Sequence, residues 1–377
     1  MKVSKLFDGI TQRNCRASLA RAITLIESTT SSDNSDASIL LDRLLNVKKK
    51  KISKSVRIGI AGPPGAGKSS FIDKLGQALI EKSPTAKVSS STLSSQLSNN
   101  SEITSSSETG TSSSYPWNRV AVLAVDPSSS ISGGSILGDK TRMNYLATSK
   151  HAIVRPAPSR CLLGGITEHS RDIMMLCEAA GYNIVIVETV GLGQSEIDVD
   201  LAVDMVILLV SPGGGDSLQA AKKGIMEIAD LIVVNKADGP LLSNAQHTAA
   251  DYSGSLQFLR QKHAGSLWKP QVVLASAVTG LNVDKIISII FEFAATMTSE
   301  GRLSVRRAQQ DKHWLRLHLQ RGLLRQLESH PTIQDRLKDA EIKLDDSNCN
   351  RNSKEVTSPR AVAQQILKDI DILVHDK

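Results

Sequence analysis

Residues Gly62-Pro63-Pro64-Gly65-Ala66-Gly67-Lys68-Ser69 have the types and spacing of a loop that wraps a chain of phosphates. Small residues let successive backbone N–H groups turn inward on an anion, and the helix that follows offers its unpaired N–H groups to the same charge. Lys68 supplies a mobile cation for the outer phosphates, Ser69 a hydroxyl for Mg²⁺, and Ser70, next in the first helical turn, is a further nucleotide-binding candidate. The flanks agree. The apolar run Val56–Ile60 predicts a strand before the loop, and Phe71 to Leu75 predict a helix after it.

A second motif selects a base. Asn235-Lys236-Ala237-Asp238 directly follows the strand-like run Leu231–Val234. An Asp so placed can accept hydrogen bonds from guanine N1–H and its exocyclic amine, donors that adenine lacks at those positions. A buried carboxylate left unpaired is costly, so the site can discriminate strongly. The Lys236 stem can lie along the base and Asn235 can brace neighbouring loops. Ser276-Ala277, after the next strand candidate, suit a companion loop contacting the guanine oxygen through backbone N–H groups.

Three loops carry further candidates. Glu188-Thr189-Val190-Gly191 ends the run Ile184–Val187: Glu188 is a candidate Mg²⁺ carboxylate, and Gly191 can bring its N–H near a γ-phosphate. Asp126 ends Val120–Val125 and is a candidate metal-shell or water-orienting carboxylate. Asp139 and Lys140 follow the loop opened by Asp126, and Asp139 reads equally as a helix cap. The glycine-rich stretch from Pro212 to Asp216 leads to Lys222 and reads as a flexible turn.

Stepping outward, 377 residues exceed one compact domain, and the expectation is a large core with appended segments. The net charge of +7 collects in clusters such as Lys48–Lys51, which read as solvated. Aromatics make up only 3% of the chain and do not interleave with the basic residues, which argues against nucleic-acid binding. Cys15, Cys161, Cys177 and Cys349 are scattered, with neither disulfide-framework nor metal-ligand spacing, as suits a reducing compartment. No apolar run approaches the ~20 residues that span a bilayer, and no secretory signal is apparent. The basic N-terminus is compatible with a mitochondrial presequence. Leu19, Ala22, Ile23 and Ile26, at helical spacing, favour instead a helix packed on the body of the protein.

The positioning elements follow. Residues 1–50 predict two short helices. Residues 51–298 alternate strands and helices, with strand candidates Val56–Ile60, Val120–Val125, Ala152–Val154, Ile184–Val187, Met205–Val210, Leu231–Val234 and Val272–Ala275. Such unbroken Val- and Ile-rich runs predict a mainly parallel α/β sheet flanked by helices. Residues 83–118, serine-rich, predict a disordered surface insertion. Residues 299–377 predict a helical arm with an apolar face from Trp314 to Leu327, a second helix from Ala361 to Val374, and a loose stretch Asp345–Ser358 between them.

Taken together, these motifs resemble the GTPase chaperones of methylmalonyl-CoA mutase, a family that includes the human methylmalonic aciduria type A protein and bacterial counterparts once described as arginine/ornithine transport ATPases or kinases. Beyond the loops above, the resemblance rests on Gly133 to Met143, on Leu163-Gly164-Gly165, on Glu188 through Glu196, and on the N-terminal run Ala20–Ser28. It implies a phosphate-loop GTPase fold and a homodimer joined through the C-terminal arm. It further implies slow Mg²⁺-dependent GTP hydrolysis accelerated by the partner mutase, and gating of adenosylcobalamin transfer. It places Asp126, Asp139 and Glu188 around Mg²⁺ and the γ-phosphate, makes Gly213–Lys222 a partner-responsive switch, and makes Lys222 a candidate charge supplied to the phosphates. It implies a matrix location in a eukaryote and a cytoplasmic one otherwise. Cys161, Leu162 and Ser217 depart from the family pattern.

Other classes have less support. A kinase linked to amino-acid transport would need an acceptor pocket, and none can be named. A metallochaperone would need Cys or His clusters, whereas His313 and His318 are badly spaced as helical ligands. Asp311-Lys312-His313 resembles the start of a cobalamin-binding motif, but Arg316 stands where that motif needs Gly, so no cobalamin site of the chain's own is expected.

Overall fold

A computed structural model of the chain describes residues 2–28, 30–51, 55–81, 118–126, 142–158, 169–189, 196–213, 223–260, 262–349 and 358–375. The expected serine-rich insertion, the Asp139 loop, Gly191 and Lys222 lie outside them. The described chain divides into two compact units, Met1–Arg307 and Ala308–Lys377.

The first unit is built on seven strands: β1 (Val56–Ala61), β2 (Val120–Asp126), β3 (Ala152–Pro158), β4 (Ile184–Glu188), β5 (Met205–Val210), β6 (Leu231–Val234) and β7 (Gln271–Leu274). Every pairing among them is parallel, in the order β3-β2-β4-β1-β5-β6-β7. β1, β4, β5 and β6 are buried at every position, which is why they read as mostly apolar runs, interrupted by Arg57 in β1 and closed by Glu188 in β4. β1 lies centrally, with β4 on one side and β5 on the other. The loop after β1 therefore opens where the winding direction reverses, the customary ligand crevice of an open parallel sheet.

Helices cover both faces. On one, Phe71, Ile72 and Leu75 of α4 (Lys68–Glu81) pack with Ile58, Ile60 and Ile207, and Ile286, Ile290 and Phe293 of the helix Val283–Ser299 join the same core. On the other, Ile225 and Met226 of the helix Lys223–Ile228 and Ala245 and Tyr252 of the helix Leu242–Leu256 pack on Leu208, Ile232 and Val234. The N-terminal segment holds three helices rather than two: α1 (Lys2–Thr11), α2 (Arg16–Ile26) and α3 (Ser31–Lys51). They pack on one another and on the helix Ser170–Ala179, and Leu19, Ala22, Ile23 and Ile26 are buried as their spacing predicts.

A buried ionic frame ties these layers together at the edge opposite the crevice. Arg57 of β1, 2% exposed, donates from Nε and Nη2 to the two oxygens of Glu178, each at 2.8 Å. Asp204, just before β5, accepts the Arg57 backbone N–H at 2.9 Å and a bidentate pair from Arg307 at 2.8 and 2.6 Å. Burial opposes the charge on Arg57, but the carboxylates of Glu178 and Asp204 more than offset it and raise the guanidinium above its ordinary pKa. A parallel cluster surrounds Asp230, which accepts the Val206 N–H at 2.8 Å and Lys262 Nζ at 2.6 Å and pairs with His263 Nε2 at 2.7 Å.

The second unit is helical. Beyond the rest of the helix Arg302–Ser329 it contains Pro331–Cys349 and Pro359–His375, so residues 345–349 are helical where a loose segment was expected. Among its described side chains the added helix buries two apolar residues, Ile333 and Ala340, and its periodicity is correspondingly faint.

Two outcomes test the ionic frame. Arg57→Met, which strands Glu178 without its bidentate partner, is expected to lower urea-unfolding stability by roughly 3–5 kcal/mol, whereas Arg57→Met combined with Glu178→Leu recovers much of the loss. For Asp230, burial pushes the carboxyl up, but Lys262 and His263 hold it below its ordinary value of 3.8. Because the folded-state pKa is the lower one, the stabilisation is complete above about pH 5 and disappears as pH falls through that depressed value. The stability gap between the native chain and Asp230→Asn should therefore close in acid.

Candidate functional site

The parallel register sets the site. Ile60 of β1 lies opposite Glu188 of β4, so the phosphate loop and the Glu188 carboxylate emerge side by side. Ala124 of β2 also pairs with Glu188, which brings Asp126, the last residue of β2, to the same end of the sheet. On the other flank Val210 pairs with Val234 and Val234 with Leu274, so the motif from Asn235 and the loop from Ala275 leave adjacent strands together.

The phosphate loop is tight. A side chain on Gly62 would put its Cβ 2.1 Å from the Leu209 carbonyl oxygen, too close for any other residue. Gly67 has φ +86°, and a Cβ there would meet Asn235 Nδ2 at 2.8 Å. Pro63 and Pro64 fix the loop's first half, and Ala66 is fully buried. The Phe71 N–H donates to Gly67 O at 2.9 Å, so α4 starts directly on the loop. Lys68 Nζ donates to the carbonyls of Gly62 at 2.9 Å and Pro63 at 3.3 Å, which keeps the ammonium folded over the loop. Ser70 is exposed on the outer side of the helix, in contrast to buried Ser69.

Ser69 Oγ donates to Glu188 Oε1 at 3.1 Å, and both residues are buried. A hydroxyl and a carboxylate meeting beside a phosphate loop are hard oxygen donors, the type that suits Mg²⁺, which takes few protein ligands and completes its shell with phosphate and water. Thr189, next to Glu188, continues the strand pairing through its N–H to Ile60 O at 3.1 Å.

Asn235 joins the halves of the crevice. It is 1% exposed; its Nδ2 donates to Ala66 O at 2.9 Å and its Oδ1 accepts the Ala277 N–H at 3.1 Å. Lys236, with left-handed backbone at φ +59°, reaches from the same motif to Gly65 O at 2.7 Å. The Ala237 N–H donates to Ala275 O at 2.9 Å, locking the two loops edge to edge. Asp238 is half-buried, in extended backbone, and its side chain caps no helix. Ser276 is fully buried and its Oγ accepts the Thr279 N–H at 3.1 Å, shaping the turn that presents Ala277.

The structure thus assembles Gly62 to Ser69, Glu188, Asn235, Lys236, Asp238, Ser276 and Ala277 around one crevice. Asp126 is placed by its backbone, while Asp139, Gly191 and Lys222 fall outside the described residues. One positioning residue escaped the sequence reading. Asp73 of α4 accepts the N–H groups of Tyr145 and Leu146 at 3.2 and 2.9 Å, fastening the short helix Asn144–Thr148 to the phosphate-loop helix. An Asp on a helix face carries no signal of such a distant cap. Among the described residues no group of three or more His, Cys, Asp or Glu side chains could hold a metal by itself, and no helix is long and apolar enough to cross a membrane.

Comparison with known proteins bears on this crevice directly. The chain is 37% identical over 341 residues to a mouse protein named methylmalonic aciduria type A homolog, mitochondrial, covering 89% of this chain and 73% of that one. It is 41% identical over 312 residues to the Escherichia coli K12 GTPase ArgK, covering 83% and 82%. A solved structure titled LAO/AO transport system kinase superposes with a TM-score of 0.65 at 31% identity, covering 98% of this chain and 97% of the other. The profile of the family described as methylmalonyl Co-A mutase-associated GTPase MeaB matches residues 19–101 and 104–332. A phosphate loop braced by an Asn-Lys-x-Asp motif on an all-parallel sheet is the architecture of a phosphate-loop GTPase, and with this match over most of its length the chain belongs to the MeaB family of mutase-associated GTPases.

Proposed function

We propose that the chain binds GTP with Mg²⁺ in this crevice, hydrolyses it to GDP and phosphate, and uses that cycle to control adenosylcobalamin loading and protection of methylmalonyl-CoA mutase. The observation that carries the nucleotide reading is the Asn235 bridge. One buried amide holds the phosphate loop at Ala66 and the base-side loop at Ala277. The triphosphate lies against the backbone N–H groups of Gly65 to Ser69, with Lys68 turning from its loop carbonyls to the outer phosphates. Guanine sits toward Asp238, which accepts its two N–H donors, and the Ala277 N–H faces the guanine oxygen.

Ser69 and Glu188 are the described residues that would hold Mg²⁺, with Asp126 as a further carboxylate. The ion would supply charge neutralisation on the transferring phosphoryl group. Asp139 is assigned to water or metal-shell orientation, Gly191 to γ-phosphate contact, and Lys222 to a cation presented when the mutase is bound. The mutase partnership rests on the family's description and on the name of the mouse relative. Dimerisation rests on Leu315, Leu319 and Leu323, four residues apart on one helix and 68%, 62% and 52% exposed, an apolar stripe suited to a second copy of the arm. In a eukaryotic cell this reading places the protein in the mitochondrial matrix.

The deciding experiment compares GTP and ATP turnover by the purified chain, with and without methylmalonyl-CoA mutase. The expected result is Mg²⁺-dependent GTP hydrolysis that the mutase accelerates and that ATP does not match. Equal turnover of the two nucleotides, or transfer of labelled phosphate to arginine or protein instead of water, sinks the proposal. Asp238→Asn should weaken GTP binding by on the order of 100-fold or more, because one carboxylate loses both guanine contacts. Asn235→Ala should weaken GDP and GTP alike by about 10- to 100-fold, since it strands the Ala66 carbonyl and the Ala277 N–H. Equilibrium titration with a fluorescent guanine nucleotide distinguishes the two effects: only the Asp238 variant should lose preference for guanine over adenine.

A further inference from the structure

A second cavity, of about 560 Å³, lies among α1, α2, the start of α3 and strand β3. This is within the roughly 300–1,000 Å³ usual for small-molecule sites. β3 is an edge strand three places from β1, so at ~4.8 Å per strand the cavity's wall stands roughly 14 Å from the strand that carries the phosphate loop.

The cavity's chemistry is lopsided. Its floor includes Leu6 and Leu25, both buried. Three cations line it, Lys5, Arg21 and Arg155, against one carboxylate, Asp33. Among the described residues neither Lys5 nor Arg21 makes an ion pair or a side-chain hydrogen bond. Arg155 donates from Nη2 to Glu27, but its buried Nε has no hydrogen-bond partner there. With Arg155 paired to Glu27, Lys5 and Arg21 are the cations beside this apolar hollow left to be met by an anion. The Cys15 thiol, at the start of α2, is held below its ordinary pKa by the Ser18 hydroxyl first, then by backbone N–H groups of Ser18 and Ala17, with Arg21 adding to the effect.

We infer that this cavity binds a small organic oxyanion, a dicarboxylate or a phosphate ester with a short apolar portion, whose charge is met by Lys5, Arg21 and Arg155 and whose apolar part rests on Leu6 and Leu25. Arginine forks match carboxylate and phosphate oxygens equally well, and Lys5 beside Arg21 offers a second cation to the same ligand. The site is separate from nucleotide binding, so it stands or falls independently of the proposed GTPase cycle.

The test uses the full chain saturated with GDP and Mg²⁺, so that the phosphate loop is filled. Glutarate and phenyl phosphate are titrated by calorimetry, and alkylation of Cys15 by iodoacetamide is followed by peptide mass spectrometry. The expected result is saturable binding of at least one probe, weakened tenfold or more in the Lys5→Ala/Arg21→Ala double variant, together with slowed Cys15 alkylation in the native chain. Both substituted side chains are exposed, so GDP affinity should be unchanged and reports on folding. Binding of glutarate alone assigns the site to dicarboxylates; binding of phenyl phosphate alone assigns it to phosphate esters. Absence of saturable binding by both probes, or affinity that survives the double substitution, overturns the inference.

Discussion

One side-chain amide holds the nucleotide crevice together. Asn235 is buried at the end of β6, yet its donor and acceptor are both satisfied across loops from two other strands. A buried amide with either end unpaired costs more than a hydrogen bond returns, so the phosphate loop and the Ala277 turn can be displaced only by breaking this contact. Lys236 adds a second strut to the phosphate loop from the adjacent residue. Two loops encoded about 170 residues apart in the chain, one after β1 and one after β6, are thereby made one rigid object.

The sheet makes that contact available. Because every strand runs the same way, every loop that follows a strand opens at one end, and the functional side chains need not be brought from opposite sides of the domain. Register then does the fine placement: Glu188 beside Ile60, and Val234 between Val210 and Leu274. The opposite end of the sheet carries the buried ionic frame of Arg57, Glu178, Asp204 and Arg307. The apolar strands between these two ends leave few polar groups to reconcile, which separates the structural charges from those lining the crevice.

Most of this organisation was legible in the residues. All seven strands were visible because doubly buried strands leave mostly apolar, Val- and Ile-rich runs; β5 and β6 were placed to the residue, and the other strands differ by one residue at one or both ends, except at Pro158, where β3 runs four residues past its apolar part. The loop and base motifs were visible because backbone sterics and donor patterns admit few residue types. Much less was legible among the helices. The helix Ser31–Lys51 was foreseen from Ile39, Leu40, Leu44 and Val47, but Lys2–Thr11, only four residues ahead of Arg16–Ile26, was not told apart from the latter, so two N-terminal helices were expected where three stand. Pro331–Cys349 buries too little to show a periodic face. The Asp73 cap and the Arg307 clasp depend on contacts between segments 72 and 103 positions apart or more, which no local pattern announces.

The clasp bears on how the chain can be divided. Arg306 and Arg307 sit just past the last helix that packs on the sheet, where a parsing by motifs alone would trim the domain at residue 298. Arg306 serves Asp200 and the Val203 carbonyl, and Arg307 serves Asp204 and the Ser55 carbonyl. A fragment shortened to that point would keep every loop of the crevice yet leave Asp204 without the Arg307 fork and Asp200 without Arg306, with Lys262 still beside it. The minimal autonomous module therefore extends at least two helical turns into what looks, by sequence, like an appendage.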